Sequence, residues 1–223
     1  APGGLQVAPG ATPGTSLWLN AGLPSETVSG SQVNVTIKQQ AAQAILTWQT
    51  FNVGQNTTLN FDQQGNRNWV ALNRVVDPNQ RPSQILGSIK ADGQVYVINP
   101  NGIVFGGASQ VNVGALVAST ADIADSQFLT NGIYSTQTNN VYAPSFTDAA
   151  GAIVVEPGAQ IVTNTPASVT QGGGFVLMMG TQVTNAGTIV TPDGQTELAA
   201  GDDFVLRPGY GTTANTTSTT RGN

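Results

Sequence analysis

The chain has 223 residues, 39% of them hydrophobic, enough to bury a core as one domain, and its seven Lys and Arg against twelve Asp and Glu leave a net charge of -5. The bases Lys38, Arg67, Arg74, Arg81, Lys90, Arg207 and Arg221 never cluster, which argues against a nucleic-acid partner, since phosphate charge demands a basic stripe. Cysteine and histidine are absent, which excludes disulfides and thiol chemistry and removes the commonest general base and metal ligand; no cofactor or metal is expected.

In chain order, Ala1 to Ser16 is rich in Gly and Pro (Pro2, Pro9, Pro13, Gly3, Gly4, Gly10, Gly14) and lacks apolar periodicity, so it reads as an extended arm. Residues 1–31 form this arm and the start of a cap. The opening Ala1-Pro2-Gly3-Gly4 fits a mature end left by signal cleavage as well as an arbitrary boundary. From Val33 the pattern alternates, with Val33, Val35 and Ile37 set against Asn34 and Thr36, as in a half-buried strand. Lys38 to Trp48 fits either period, and the spacing of Ala41, Ala44, Ile45 and Trp48 points to a short helical turn.

Short β-prone runs follow at Thr58–Phe61, Trp69–Val76, Gln94–Ile98, Gly102–Phe105 and Gln110–Val113, separated by Gly, Asn or Pro turns. A Gly, a Gln and a β-branched residue recur as Gly93-Gln94-Val95, Gly107-Ala108-Ser109-Gln110-Val111, Gly158-Ala159-Gln160-Ile161 and Gly180-Thr181-Gln182-Val183. These four are expected to share one register, each placing an apolar residue inward. The steps from Val95 to Val111 and from Ile161 to Val183 approach one coil of a β-solenoid, about 20 residues or slightly more. Stacked coils bury what no single coil can, with parallel strands about 4.8 Å apart and interior ladders of Val, Ile, Leu and Ala.

Between 122 and 150 the repeat fades among Tyr134, Tyr142, Pro144 and Phe146, and an excursion is expected there, a hairpin packed on the solenoid's side. Repetition resumes from Gly151 to Leu206, and residues 211–223, rich in Thr, Asn and Gly, read as a linker. No run reaches the roughly 20 apolar residues of a membrane-spanning helix.

The stretch Gln94-Val95-Tyr96-Val97-Ile98-Asn99-Pro100-Asn101-Gly102-Ile103-Val104-Phe105-Gly106 resembles the secretion domain of filamentous haemagglutinin and related two-partner exoproteins, whose hallmark is Asn-Pro-Asn-Gly-Ile. Upstream, Ile45 to Gly54 and Val70 to Val75 look like the family's phrases, as does Val111 to Thr120 downstream. The resemblance covers roughly Gln32 to Pro208. The family's earlier Asn-Pro-Asn-Leu motif corresponds here to Gly65-Asn66-Arg67-Asn68-Trp69, a departure that suggests a different branch.

The resemblance implies an all-β fold, a right-handed parallel β-helix over residues 32–210 with an N-terminal cap and an extrahelical excursion. It also implies export to the periplasm, recognition there by the POTRA domains and barrel of a partner outer-membrane TpsB transporter, and a C-terminal passenger of the same protein (adhesin, cytolysin or toxin) that follows to the surface of a Gram-negative bacterium. The rival from another class is a surface adhesin that binds a carbohydrate or host ligand by itself.

Asn99, Pro100, Asn101, Gly102 and Ile103 form the candidate secretion motif. Pro100 sets φ near -65°, Asn99 can close an Asx hydrogen bond and Gly102 tolerates the exit, so a type I turn is predicted and turn chemistry alone accounts for the four residue types. Asn52, Asn73 and Asn112 are candidates for stacked amide ladders or transporter contacts, the ladder favoured because corner amides satisfy buried backbone groups. Trp48, Phe51, Phe61, Trp69 and Phe105 are read as plugs over an open end of the core rather than sugar platforms. The acid pairs Asp202-Asp203 and Asp122 with Asp125 are the remaining catalytic candidates, but adjacent strand residues face opposite ways, so no catalytic residue is assigned. Gly172-Gly173-Gly174-Phe175 lacks the Asp of a calcium-binding repeat and reads as a tight corner. The sequons at Asn34, Asn56 and Asn215 are incidental in a bacterial protein.

Overall fold

Alternating apolar residues make strands buried on one face, and strands of this kind need a partner layer. In the computed structural model, which describes residues 4–136, 142–166 and 172–207, that layer is the chain's own next coil.

The N-terminal end is closed by antiparallel strands. β1 (Leu5–Val7) and β2 (Trp18–Leu19) pair with β5 (Gln43–Phe51), and β3 (Ser25–Ser29) pairs with β4 (Gln32–Lys38). Every later pairing among named strands is parallel, in three sheets. The first sheet continues from β5 through β7 (Val70–Val75), β10 (Gln94–Ile98), β13 (Ala115–Ser119), β16 (Phe175–Gly180) and β19 (Gln195–Ala200). The second stacks β8 (Ser83–Ile85), β11 (Ile103–Phe105), β14 (Ala152–Val155) and β17 (Gln182–Asn185). The third runs from β4 through β6 (Thr57–Asp62), β9 (Ser88–Ala91), β12 (Gln110–Val113), β15 (Gln160–Thr163) and β18 (Thr188–Val190). The chain therefore visits second, third and first sheet in turn, which is a parallel β-helix.

Register makes the core. Ala71, Val95, Leu116 and Val176 stack in adjacent coils of the first sheet, as do Leu59, Ile89, Val111 and Ile161 in the third, all buried. Burying each such aliphatic side chain contributes roughly 1.5 to 3 kcal/mol before entropy is counted.

The four Gly-Gln repeats do not share one register. Only Gln110-Val111 and Gln160-Ile161 stand over each other, whereas Val95 lies on the first sheet and Val183 on the second. The step from Val95 to Val111 joins two faces of one coil. The true coil partner of Gly93-Gln94-Val95 is Gly114-Ala115-Leu116, followed by Gly174-Phe175-Val176 and Gly194-Gln195-Thr196. These glycines column at a corner because backbone presses on backbone there: a Cβ on Gly174 would sit 1.7 Å from the Gly114 carbonyl oxygen, and one on Gly194 1.8 Å from that of Gly174. The tight corner expected at Gly172-Gly173-Gly174 is thus one storey of this column.

Two local expectations change. Lys38–Trp48 holds no helical turn; Lys38 ends β4 and β5 begins at Gln43, and the apolar spacing imitates a helix because β5 is buried on both faces and loses the two-residue alternation. The arm is pinned instead of extended over its described part, with β1 on β5 and Ala8 and Ala11 buried. Residues 1–3 of that arm and the linker at 211–223 lie outside the described residues.

The excursion leaves at Asp122 and returns through an antiparallel bridge to Thr147, and its outgoing limb is a helix, α1 (Asp125–Asn131). It covers the outer face of the first sheet. Ile45, Leu72, Tyr96, Val117 and Leu177 point outward there, yet form a second buried core with Phe128 of α1, Phe146 and Phe204. Arg74 on β7 staples the excursion down through Asp122 (3.0 Å), Asp125 (2.6 Å) and the Ile123 carbonyl (2.5 Å). Among the described residues no helix is long and apolar enough to cross a membrane.

Candidate functional site

The Asn99–Gly102 turn forms the corner between β10 and β11. Its β-turn bond runs from the Gly102 N–H to the Asn99 carbonyl at 3.1 Å, and the Asn99 Oδ1 accepts the Asn101 N–H at 3.0 Å, the Asx closure expected from the sequence. The Asn99 side chain is fully buried and also donates to the Arg81 carbonyl (3.2 Å) and the Ser83 hydroxyl (3.0 Å) one coil below. Gly102 has φ of 114°, and a Cβ there would lie 3.0 Å from the Ala152 carbonyl oxygen one coil above. Ile103 starts β11 with its side chain in the core. The corner is wedged between its neighbours, and only Pro100 and, in part, Asn101 face solvent.

The same turn occurs one coil earlier, where the sequence carries Asp and Gln in place of the first Asn and the Gly. Asp77-Pro78-Asn79-Gln80 closes with Gln80 N–H to Asp77 carbonyl at 3.0 Å and Asn79 N–H to Asp77 Oδ1 at 2.9 Å, and Gln80 takes φ of 54°. This stretch, not Gly65–Trp69, is the structural forerunner of the Asn-Pro-Asn-Gly corner. The signal was an acidic or amide residue followed by Pro-Asn, one coil length upstream. Arg81 caps the turn by donating to Asp77 Oδ2 (2.6 Å) and Oδ1 (3.3 Å). Those bonds, with the Asn79 N–H, outweigh desolvation and hold the buried Asp77 carboxyl below its ordinary pKa.

The TPS secretion domain family model matches residues 11–223, a span that includes this β-helix and its Asn-Pro-Asn-Gly-Ile corner. The chain belongs to the TPS secretion domain family. Two heme/hemopexin-binding proteins of Haemophilus influenzae are similar to this TPS domain: one is 40% identical over 89 residues, 40% of this chain and 9% of the relative, and the other is 32% identical over 173 residues, 77% of this chain and 18% of the relative. The chain thus spans less than a fifth of these relatives. Among solved structures, the HMW1 secretion domain from Haemophilus influenzae superposes with a TM-score of 0.60 at 27% identity, covering 81% of this chain and 42% of that one.

The remaining predicted residues of this TPS domain scatter. Buried Asn52 accepts the Gln84 N–H at 2.8 Å, which ties β5's exit to β8. Asn73 points into the core of β7, accepts the Trp48 indole N–H at 2.9 Å and donates to the Ala71 and Tyr96 carbonyls at 3.1 Å each. Asn112 is exposed on the outer face of β12. The three do not stack. The amide ladder lies elsewhere, where buried Gln63 donates to buried Gln39 at 3.0 Å and accepts the Gly93 N–H at 2.6 Å, across three successive coils. In sequence these buried glutamines are indistinguishable from the exposed Gln110 and Gln160 of the repeat.

The aromatics divide likewise. Trp48 and Phe51 do seal the capped end, edge to face at 5.4 Å, with Trp18 completing the plug at 5.0 Å from Trp48. Phe61 and Phe105 fill the middle of the core, and Trp69 is only half-buried at a corner. Four of the five are buried outright and present no free ring face of the kind sugars stack on. Three of the four acids are engaged structurally: Asp122 and Asp125 by Arg74, and Asp203 by the Tyr142 hydroxyl (3.0 Å) and the Asp148 N–H (3.1 Å). Among the described residues no group of three or more acidic, His or Cys side chains gathers as a metal site.

Proposed function

We propose that this TPS domain is the N-terminal secretion module of a large Gram-negative exoprotein, recognised in the periplasm by the POTRA domains of a partner outer-membrane TpsB transporter, and that it acts by binding and folding, without catalysis. The observation that carries this reading is the match of residues 11–223 to a secretion domain, on a solenoid whose hallmark corner is held between coils with Pro100 exposed. One end of the stack is plugged by Trp18, Trp48 and Phe51 beneath antiparallel strands. The relatives' much greater length supports a passenger.

The physical sequence follows. A chain without cysteine enters a pore without cross-links to reduce. Once outside, each coil that stacks hides apolar edge worth about 25 cal/mol per Å², which disfavours return through the pore. Pro100 and Asn101, exposed on an otherwise locked corner, are the motif atoms left for the transporter to read.

Deleting residues 4–207 from the full-length exoprotein, in cells that produce its transporter, tests the reading. Export stops and the passenger accumulates in the periplasm if the domain is the address. Normal export with lost surface attachment would replace this proposal with the independent adhesin.

A further inference from the structure

We propose that the outer face of the third sheet is a binding site for a linear acidic polysaccharide of the polyuronate class, laid parallel to the solenoid axis. Of the sheets, the first has its outer face sealed by the excursion, but the third leaves Lys90, Gln110, Asn112 and Gln160 exposed. Strand alternation sends Leu59, Ile89 and Val111 inward and their neighbours outward, so the face is built from registered columns. One column is Thr36, Asn60, Lys90 and Asn112, each the partner of the next. Beside it run Thr58, Ser88, Gln110 and Gln160.

Both columns repeat at the strand spacing of about 4.8 Å along the solenoid axis, so a linear ligand laid on them meets polar groups at regular intervals. Hydroxyls and carboxamides at that interval offer each successive sugar a donor and an acceptor.

A second feature marks the centre of this face. Asn60, Lys90 and Asn112 line a groove of about 420 Å³, walled by the corner residues Asp92 and Asn164. The wall is braced: Asn164 donates to the Asp92 carbonyl at 3.0 Å, and the Asp92 carboxylate accepts the Gly65 N–H at 3.0 Å. The Asn60, Lys90 and Asn112 side chains, by contrast, make no hydrogen bond or ion pair with any described residue. In a protein with only seven basic residues, one ammonium held free between two free carboxamides selects a carboxylate flanked by hydroxyls. Aromatic platforms are lacking on this groove, so recognition is by hydrogen bonds and charge, not by ring stacking.

The purified 223-residue chain is titrated calorimetrically with oligogalacturonate and oligoguluronate, with their carboxyl-reduced neutral counterparts, and with polyphosphate. The expected result is saturable binding to an oligouronate, weakened about tenfold or more by carboxyl reduction, by Lys90→Gln and by Asn112→Ala, as loss of one charge-assisted contact implies. Both side chains are exposed, so the variants keep the parent's melting temperature, which circular dichroism verifies. Binding to neither oligouronate, undiminished binding by Lys90→Gln, or equal binding of polyphosphate would overturn the proposal. Export of the exoprotein carrying Lys90→Gln is expected to be normal, which separates this site from the secretion reading.

Discussion

Replacing Asn99 with Ala probes whether the hallmark corner is first of all a structural lock. The side chain is fully buried and makes three hydrogen bonds, to the Arg81 carbonyl at 3.2 Å, the Ser83 hydroxyl at 3.0 Å and from the Asn101 N–H at 3.0 Å. Alanine removes all three and leaves the Arg81 and Asn101 backbone groups without this partner between coils. At about 1 kcal/mol net per bond, with an added penalty for groups stranded in the interior, the loss is about 2 to 4 kcal/mol. For a domain of this size that lowers Tm by roughly 4 to 16 °C. Urea unfolding followed by tryptophan fluorescence measures it, with the midpoint falling and the slope unchanged, because the surface exposed on unfolding is the same. Asn101→Ala, at the half-exposed position of the same turn, retains its backbone bonds and is expected to unfold within about 0.5 kcal/mol of the parent. An Asn99→Ala protein as stable as Asn101→Ala would refute the view that this corner is held by Asn99.

Three further outcomes are expected. Gly174→Ala forces a methyl against the Gly114 carbonyl at 1.7 Å and costs more than about 3 kcal/mol, whereas Gly22→Ala, whose Cβ meets nothing closer than Lys38 O at 3.9 Å, leaves the urea midpoint nearly unchanged. Asp77 has a folded pKa below its unfolded value of about 3.9, so its ionised form stabilises the fold fully above that pH, and the contribution is lost as pH falls through the lower folded value. Melting temperatures taken between pH 5 and about pH 2 therefore drop more steeply in the parent than in Asp77→Asn, and parallel curves would remove the Arg81 clamp from the account. Burial under α1 pushes the Tyr96 phenol far above the usual tyrosine range, so ultraviolet titration of the folded parent to about pH 11 leaves phenol absorbance that only unfolding in urea releases, and Tyr96→Phe lowers that released fraction.

Much of the Asn99 corner was legible because its geometry is local. Proline sets one dihedral angle, a short amide reaches two residues along, and glycine accepts the positive φ, all within four residues. The β-helix was legible for a related reason: each coil repeats the same alternation, and a solenoid contacts itself mainly one coil away. The coil partners were not, since the steps from Val95 to Val111 and from Ile161 to Val183 each join two different sheets. The family phrases around Asn99–Ile103 then named the architecture, which the TPS match and the HMW1 secretion domain bear out.

What stayed hidden were properties of the stacked state. Asn52, Asn73 and Asn112 look alike beside apolar runs, yet one ties two strands together, one receives a tryptophan from the coil below and one faces solvent, because facing direction depends on where each corner ends. Trp18 lies in a stretch that reads as featureless, and becomes a plug only when β2 folds back on β5. Lys38–Trp48 shows helical spacing because β5 is covered on both sides, a circumstance created by the excursion and the cap together.

The amino-acid order alone thus determined that this protein winds and that a tight corner lies at Asn99–Gly102, since both follow from dihedral preferences and near-neighbour alternation. Tertiary structure decided which residues stand over which. Register between coils is set by the few places where one backbone presses on the next, as at Gly114 and Gly174, and that contact joins residues sixty positions apart.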